Sequence, residues 1–144
     1  MLRAKLDGQL AVLARLPGTA EALVTVTQLR DALDSATDAT ALRNLEARAA
    51  VAHWAAWAPV EIQFATKDRA SVPEHWRTFG TRSSPLTASP RTAANPINAL
   101  INYCYAILET EVRLANLTIG LDPGMGILHA DQKSRESFVF DVIE

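Results

Sequence analysis

Residues 95–109 read NPINALINYCYAILE, and this segment predicts a long helix, which indicates a mainly helical fold. An asparagine followed by a proline is typical of a helix start, because the asparagine side chain accepts a backbone N–H bond and proline fits the first turn. Apolar residues then recur every three or four positions as far as about residue 119, and Gly120 is suited to end the helix. One face of this predicted helix is lined by Ile97, Leu100, Ile101, Cys104, Leu108, Val112 and Ala115.

The sequence before this segment predicts further helices from the same apolar spacing. They cover about residues 2–16, 19–35 and 39–58. Either Thr37 or Asp38 is suited to cap the third of them, and Pro59 ends it. The pattern predicts a mainly α, bundle-like fold in which residues 1–144 form one domain.

Residues 59–95 form a long proline-rich connection, which is unusual in a compact domain unless the loop is functional or mobile. Trp76 and Phe79 predict that its middle packs onto another element. A modest basic cluster, suited to contact phosphate groups, consists of Lys67, Arg69, Arg77, Arg82 and Arg91.

The composition bears on whether the chain binds nucleic acid, forms disulfides or spans a membrane. The net charge of −2 argues mildly against nucleic-acid binding, although local basic patches matter more than the total. The single cysteine, Cys104, excludes an intramolecular disulfide and indicates a reducing, cytoplasmic setting. Charged residues interrupt the longest apolar region, around 97–119, so no membrane span is expected.

Residues near the end of the sequence have the chemistry of metal ligands. His129 precedes Asp141 and Glu144, and the two acidic residues lie one turn apart on one face if 137–144 is helical. Carboxylates with one imidazole favour Mg²⁺ or Mn²⁺, whereas zinc sites usually need more histidine or cysteine. The alternative is a solvated charged segment with no bound ion.

Glu46 lies beside the apolar stripe of the third predicted helix, so its carboxylate must be paired, ligated or near the edge of the packed face. The spacing allows an ion pair with Arg43, which is the alternative to a ligand role. His53, two turns later on a similar face, is expected to be a packed, hydrogen-bonded residue.

Four segments together resemble the CRISPR-associated DNA integrase/endonuclease family. The run at 95–109 resembles that family's N-P-hydrophobic-N-A-L-L-N-Y helix, and GLDPGMGILH at 120–129 resembles its G-L-D-P-x-x-G-hydrophobic-hydrophobic-H loop. SFVFDVIE at 137–144 and EARAAVAHW at 46–54 are similar to two further motifs, in the same order and spacing. The resemblance is best over 40–144, and Ala47 replaces a glycine usual in the family.

The resemblance implies a metal-dependent DNA endonuclease and integrase that acts in spacer acquisition. It implies that Glu46, His129 and Glu144 are metal ligands for Mg²⁺ or Mn²⁺, with Asp141 as a second catalytic acidic residue nearby. The implied partners are double-stranded DNA (protospacer and CRISPR repeat), a second copy in a homodimer and a small companion subunit. On this view the chain is a partial helical catalytic domain that lacks the family's N-terminal β domain. The alternative is a truncated, non-catalytic helical remnant or interaction module.

Overall fold

The computed structural model describes residues 1–81, 92–127 and 136–143. Its elements are α1 (Leu2–Leu13), α2 (Ala20–Asp31), a 3₁₀ turn (Ala32–Ser35), α3 (Ala39–Trp57), a second 3₁₀ turn (Glu74–Trp76), α4 (Pro96–Thr118) and α5 (Ser137–Ile143). Within these ranges there is no β-strand, only an isolated bridge between Glu61 and Thr78. The prediction of a mainly α fold is confirmed.

The ends of the helices follow the local signals in the sequence. The Asp38 carboxylate accepts a bond from the Ala41 N–H at 2.8 Å, and the Asn95 side chain accepts one from the Asn98 N–H at 2.8 Å. Gly120 adopts a φ of 78°, which favours glycine and turns the chain after α4. These contacts confirm the predicted caps, because each satisfies backbone groups that the helix itself leaves unpaired.

The first helix is shorter than predicted. It ends at Leu13 instead of residue 16. The Thr19 hydroxyl donates to the Leu13 carbonyl at 2.7 Å, and Thr19 itself is buried. This contact satisfies a carbonyl at the end of the helix and holds the turn toward α2 against the bundle.

Helices α1, α2 and α3 pack together around one apolar core. The core residues are Leu6, Leu13, Val26, Leu29 and Ala49. Leu45, Ala52 and Ala56 of α3 pack against them, which places the predicted stripe of α3 at the core. Burial of these side chains stabilises the bundle and gives α3 a fixed position.

Phe79 connects the end of α3 to the start of α4. Its ring is buried and stacks on Trp54 with 6.0 Å between ring centroids. Its carbonyl accepts a hydrogen bond from the Asn95 side-chain amide at 2.5 Å. Trp76 is half-buried. The prediction that the middle of the long connection packs onto another element is therefore confirmed.

Helix α4 packs against α5, and much of its apolar surface remains exposed. Leu100 and Leu108, both on the predicted apolar face, are 56% and 45% exposed, and Cys104 is also exposed. The buried side chains of α4 are instead Asn98 and Asn116. None of the helices in the described ranges has the length and hydropathy that a membrane crossing needs.

Candidate functional site

Glu46 lies on the side of α3 that faces α1. Its carboxylate is 2.6 Å from the Lys5 ammonium of α1, and the two side chains are 25% and 13% exposed. The sequence predicted that the Glu46 carboxylate must be paired, ligated or near an edge. It is paired, in a largely enclosed ion pair. The sequence spacing predicted Arg43, on the same helix, as the partner of Glu46. The structure pairs Glu46 with Lys5, which comes from α1.

His53 lies two turns after Glu46 on the same side of α3, and it is buried as predicted. Its Nε2 accepts a hydrogen bond from the Trp57 indole N–H at 3.1 Å, which places the neutral ring's proton on Nδ1. Burial is the main cause that lowers the pKa of His53, and the positive charge of Lys5 lowers it further. The imidazole is therefore kept neutral beside the Lys5–Glu46 pair.

Asp141 lies on α5 and is 1% exposed. Its Oδ2 accepts a short hydrogen bond from the backbone N–H of Ile127. Ile127 is two positions before His129 in the sequence. The carboxylate is therefore engaged in holding backbone next to a predicted ligand, which sequence spacing alone did not reveal.

The loop after α4 is tied to both of its neighbouring helices. The Leu121 N–H donates to the Asn116 carbonyl, and the Phe138 N–H donates to the Pro123 carbonyl, each at 2.9 Å. Arg113 of α4 makes an ion pair with Glu136 at 2.9 Å, just before α5. Together with the bond to Asp141, these contacts fix residues 121–127 relative to α4 and α5.

Buried polar atoms occur on α4 at positions that the sequence analysis did not single out. Within the described parts of the chain, neither side-chain atom of Asn98 has a hydrogen-bond partner, and the side-chain nitrogen of Asn116 has none. A signal was available, since Asn95, Asn98 and Asn102 recur at helical spacing in an otherwise apolar segment.

The convergence of the predicted ligands on one ion stays a prediction. His129 and Glu144 lie outside the described residues. Over residues 1–81, 92–127 and 136–143, no group of three or more His, Cys, Asp or Glu side chains is arranged to hold a metal ion. Glu46 and Asp141 are each placed, on α3 and α5 respectively, with the contacts given above.

The basic cluster of the connection is only partly described. Arg77 makes an exposed ion pair with Glu74 at 3.2 Å, and Arg69 donates to the Phe64 carbonyl at 3.4 Å. Arg82 and Arg91 lie outside the described residues. The expected phosphate contact therefore remains a prediction.

Comparisons with known proteins agree on one family. The family model for CRISPR associated protein Cas1 matches residues 1–144. A CRISPR-associated endonuclease Cas1 of Archaeoglobus fulgidus is 30% identical over 161 residues, which cover 99% of this chain and 43% of that protein. One from Thermus thermophilus is 33% identical over 120 residues, covering 81% of this chain and 31% of that protein.

A third relative gives the same result. A CRISPR-associated endonuclease Cas1 of Pyrobaculum aerophilum is 31% identical over 120 residues, covering 83% of this chain and 33% of that protein. The chain thus spans less than half the length of these relatives. No solved structure matches the chain.

Proposed function

Because the chain belongs to the CRISPR-associated protein Cas1 family, we propose that it forms part of the helical catalytic domain of a metal-dependent DNA endonuclease and integrase. The proposed reactions are phosphodiester cleavage and 3′-hydroxyl transesterification on double-stranded DNA during spacer acquisition. The relatives' description as endonucleases supports the cleavage reaction. The observation that carries the proposal is the match of the family model over residues 1–144, with Glu46 on a helix that the bundle core holds in place.

The donor chemistry fits a divalent ion. Glu46, His129 and Glu144 would supply two carboxylates and one imidazole, which suit Mg²⁺ or Mn²⁺ and leave positions for water and substrate oxygens. In this structure the Glu46 carboxylate pairs with the Lys5 ammonium, so a divalent ion at Glu46 would have to share or replace that contact. A divalent ion bound there would stabilise charge that develops on a phosphoryl group during attack.

The other acidic residue, Asp141, is given a positioning role in this proposal. Its carboxylate is buried and bonded to the Ile127 N–H, so it holds the backbone that leads to His129. Partners that orient metal ligands are a general requirement of metal sites. Asp141 would thus contribute to the reaction by fixing His129 instead of touching the substrate.

The proposed substrate and partners go beyond this chain. Double-stranded DNA (protospacer and CRISPR repeat), a homodimer and a small companion subunit are proposed from the family, with a cytoplasmic location. The net charge of −2 argues mildly against DNA binding by the chain as a whole, because a phosphate backbone attracts positive charge. Local basic side chains such as Arg69 and Arg77 would therefore have to supply the phosphate contacts.

A non-catalytic interaction module is the second candidate function. The exposed apolar surface of α4 favours it, because contiguous exposed apolar side chains often mark interaction sites. Leu100, Ile107 and Leu114, which share one face of this helix at seven-residue spacing, are 56%, 46% and 55% exposed. An interaction module would retain its function after Glu46→Gln and His129→Ala, whereas the nuclease would not.

Metal-dependent cleavage of DNA tests the proposal. The 144-residue chain would be assayed alone and as a chimera that replaces the matching region of the Archaeoglobus fulgidus relative. Labelled linear and branched duplexes would be incubated with Mn²⁺ or with EDTA. We expect Mn²⁺-dependent cleavage by the chimera and its loss, by at least about 100-fold, in Glu46→Gln. Cleavage that Glu46→Gln leaves unchanged would contradict the proposal, provided that circular dichroism shows equal folding of both chimeras.

A further inference from the structure

Lys5 is more enclosed than the basic residues of other ion pairs in the described parts of the chain. Its side chain is 13% exposed, compared with 46% for Arg3, 29% for Arg30 and 54% for Arg113 in their ion pairs. Removing an ammonium from water is unfavourable unless a carboxylate and hydrogen bonds compensate. The Lys5 ammonium is therefore held in place by Glu46 and its surroundings, unlike the exposed pairs, which contribute little.

The Lys5–Glu46 pair joins two rigid elements. Leu6, next to Lys5, is fully buried in the core that α1 shares with α3, and Ala49, one turn from Glu46, belongs to the same core. The positive charge of Lys5 also reaches His53 of α3, where it contributes to the lowered pKa of that imidazole. A lysine ammonium is a compact charge on a flexible stem, so rotation of the side chain can move the charge while the helix stays in place.

We propose that the Lys5 ammonium is a built-in competitor of the divalent ion at Glu46, and that metal binding displaces it from the carboxylate. This inference rests on the proposed function, because it takes Glu46 as a metal ligand. The Lys5 ammonium lies 2.6 Å from Oε1 of Glu46 and neutralises that carboxylate in this structure. A divalent ion on the same carboxylate would lie within a few Å of that ammonium, and like charges so close repel strongly in a partly enclosed site. Lys5 therefore lowers metal affinity and keeps Glu46 neutralised until metal arrives.

Titration of the 144-residue chain with Mn²⁺ tests this competition without DNA. Free Mn²⁺ is measured from its electron paramagnetic resonance signal, which broadens when the ion binds protein. Lys5→Met keeps the length of the side chain and removes its charge. We expect it to lower the Kd for Mn²⁺ about tenfold, which corresponds to about 1.4 kcal/mol. Lys5→Arg retains the charge and is expected to bind Mn²⁺ within about threefold of the unmodified chain.

Two controls separate local competition from other effects. Arg15→Met removes the same unit charge at an exposed position in the turn after α1, and is expected to leave the Kd unchanged because solvent and salt screen the distance from there to Glu46. Lys5→Gln is a second neutral variant, with a different shape, for the case that Lys5→Met does not fold. Circular dichroism identifies the variants that fold.

The outcomes distinguish this inference from the proposed function. If Glu46→Gln weakens Mn²⁺ binding but the folded neutral Lys5 variants bind no more tightly than the unmodified chain, Lys5 is not a competitor and the ligand role of Glu46 stands. If Mn²⁺ binds but Glu46→Gln has no effect, the ligand role fails. An absence of Mn²⁺ binding by every variant would overturn both.

Discussion

Asp141 provides the sharpest test of how the candidate site is built. Its carboxylate is 1% exposed and accepts the Ile127 N–H, so Asp141→Ala removes a charged acceptor from a position that water does not reach in the folded chain. A hydrogen bond to a charged group contributes about 1.5–3 kcal/mol to stability. Ile127 as a residue is 72% exposed and its bond to Asp141 is only partly buried, so the freed N–H regains part of its hydration after the substitution. We therefore expect a loss of about 2 kcal/mol, in the lower half of that range.

Asp141→Asn separates positioning from direct metal binding. An asparagine has nearly the same shape and retains one carbonyl oxygen that can accept the Ile127 N–H. If Asp141 positions the backbone before His129, the Asn variant should recover more than half of the stability lost in the Ala variant. A metal ligand would behave differently, because the neutral amide is a poorer ligand for Mg²⁺ or Mn²⁺ than a carboxylate.

Urea unfolding followed by circular dichroism measures the stability of both variants, and Mn²⁺ titration measures their metal affinity. The positioning role predicts that Asp141→Asn keeps the Mn²⁺ affinity within about threefold, a free-energy difference below about 0.7 kcal/mol. The reasoning would be refuted if Asp141→Ala were as stable as the unmodified chain. It would also be refuted if Asp141→Asn lost Mn²⁺ affinity as severely as Glu46→Gln while keeping full stability.

Three further predictions concern the rest of the fold. Phe79→Ala should lower the free energy of unfolding by about 3–5 kcal/mol, because it leaves a cavity where a buried ring stacked on Trp54. Urea unfolding followed by tryptophan fluorescence measures this free energy, and a loss under about 1 kcal/mol would contradict the prediction. Asn95→Ala should lower the free energy of unfolding by about 1–2 kcal/mol in the same assay, because it removes both the cap of α4 and the bond to the Phe79 carbonyl. Asn95→Asp keeps only the cap, so it should lose less stability than Asn95→Ala. His53, whose pKa is lowered in the folded chain, binds fewer protons than in the unfolded chain, so its contribution to stability is complete above about pH 6.5 and is lost as the pH falls further. A His53→Phe variant should show a weaker decrease in stability over that acidic range, and an equal decrease in both chains would contradict this role.

The parts of the fold that sequence predicts are those set by neighbours in the chain. The Asp38 and Asn95 caps and the turn at Gly120 each depend on residues within about one helical turn. Helix α1 was predicted too long because its end depends on Thr19, which reaches back to the Leu13 carbonyl from the next element. Periodicity also located the apolar residues of α4, but it contains no information on which of them another element covers.

The contacts that define the candidate site come from distant parts of the chain. Lys5 meets Glu46 across 41 positions, and Ile127 meets Asp141 across 14. No local pattern distinguishes Lys5 from any other lysine on an amphipathic helix, so its pairing emerges only once α1 and α3 are packed. The family motifs predicted Glu46 and Asp141 as site residues, but motifs alone did not show that Glu46 pairs with Lys5 or that Asp141 accepts the Ile127 N–H.

The two described acidic residues lie on elements of very different intrinsic stability. Glu46 belongs to the 19-residue helix α3, which shares the core of the three-helix bundle. Asp141 belongs to a helix of seven residues, and a helix this short does not form in water without tertiary contacts. Its order depends on bonds such as those to Pro123 and Ile127. If an ion binds Glu46, that ligand comes from an element that the core of the bundle holds, whereas Asp141 acts on an element that fewer contacts hold. Lys5→Met and Asp141→Ala act on different elements, α1 and α5, so their effects on metal affinity should add independently.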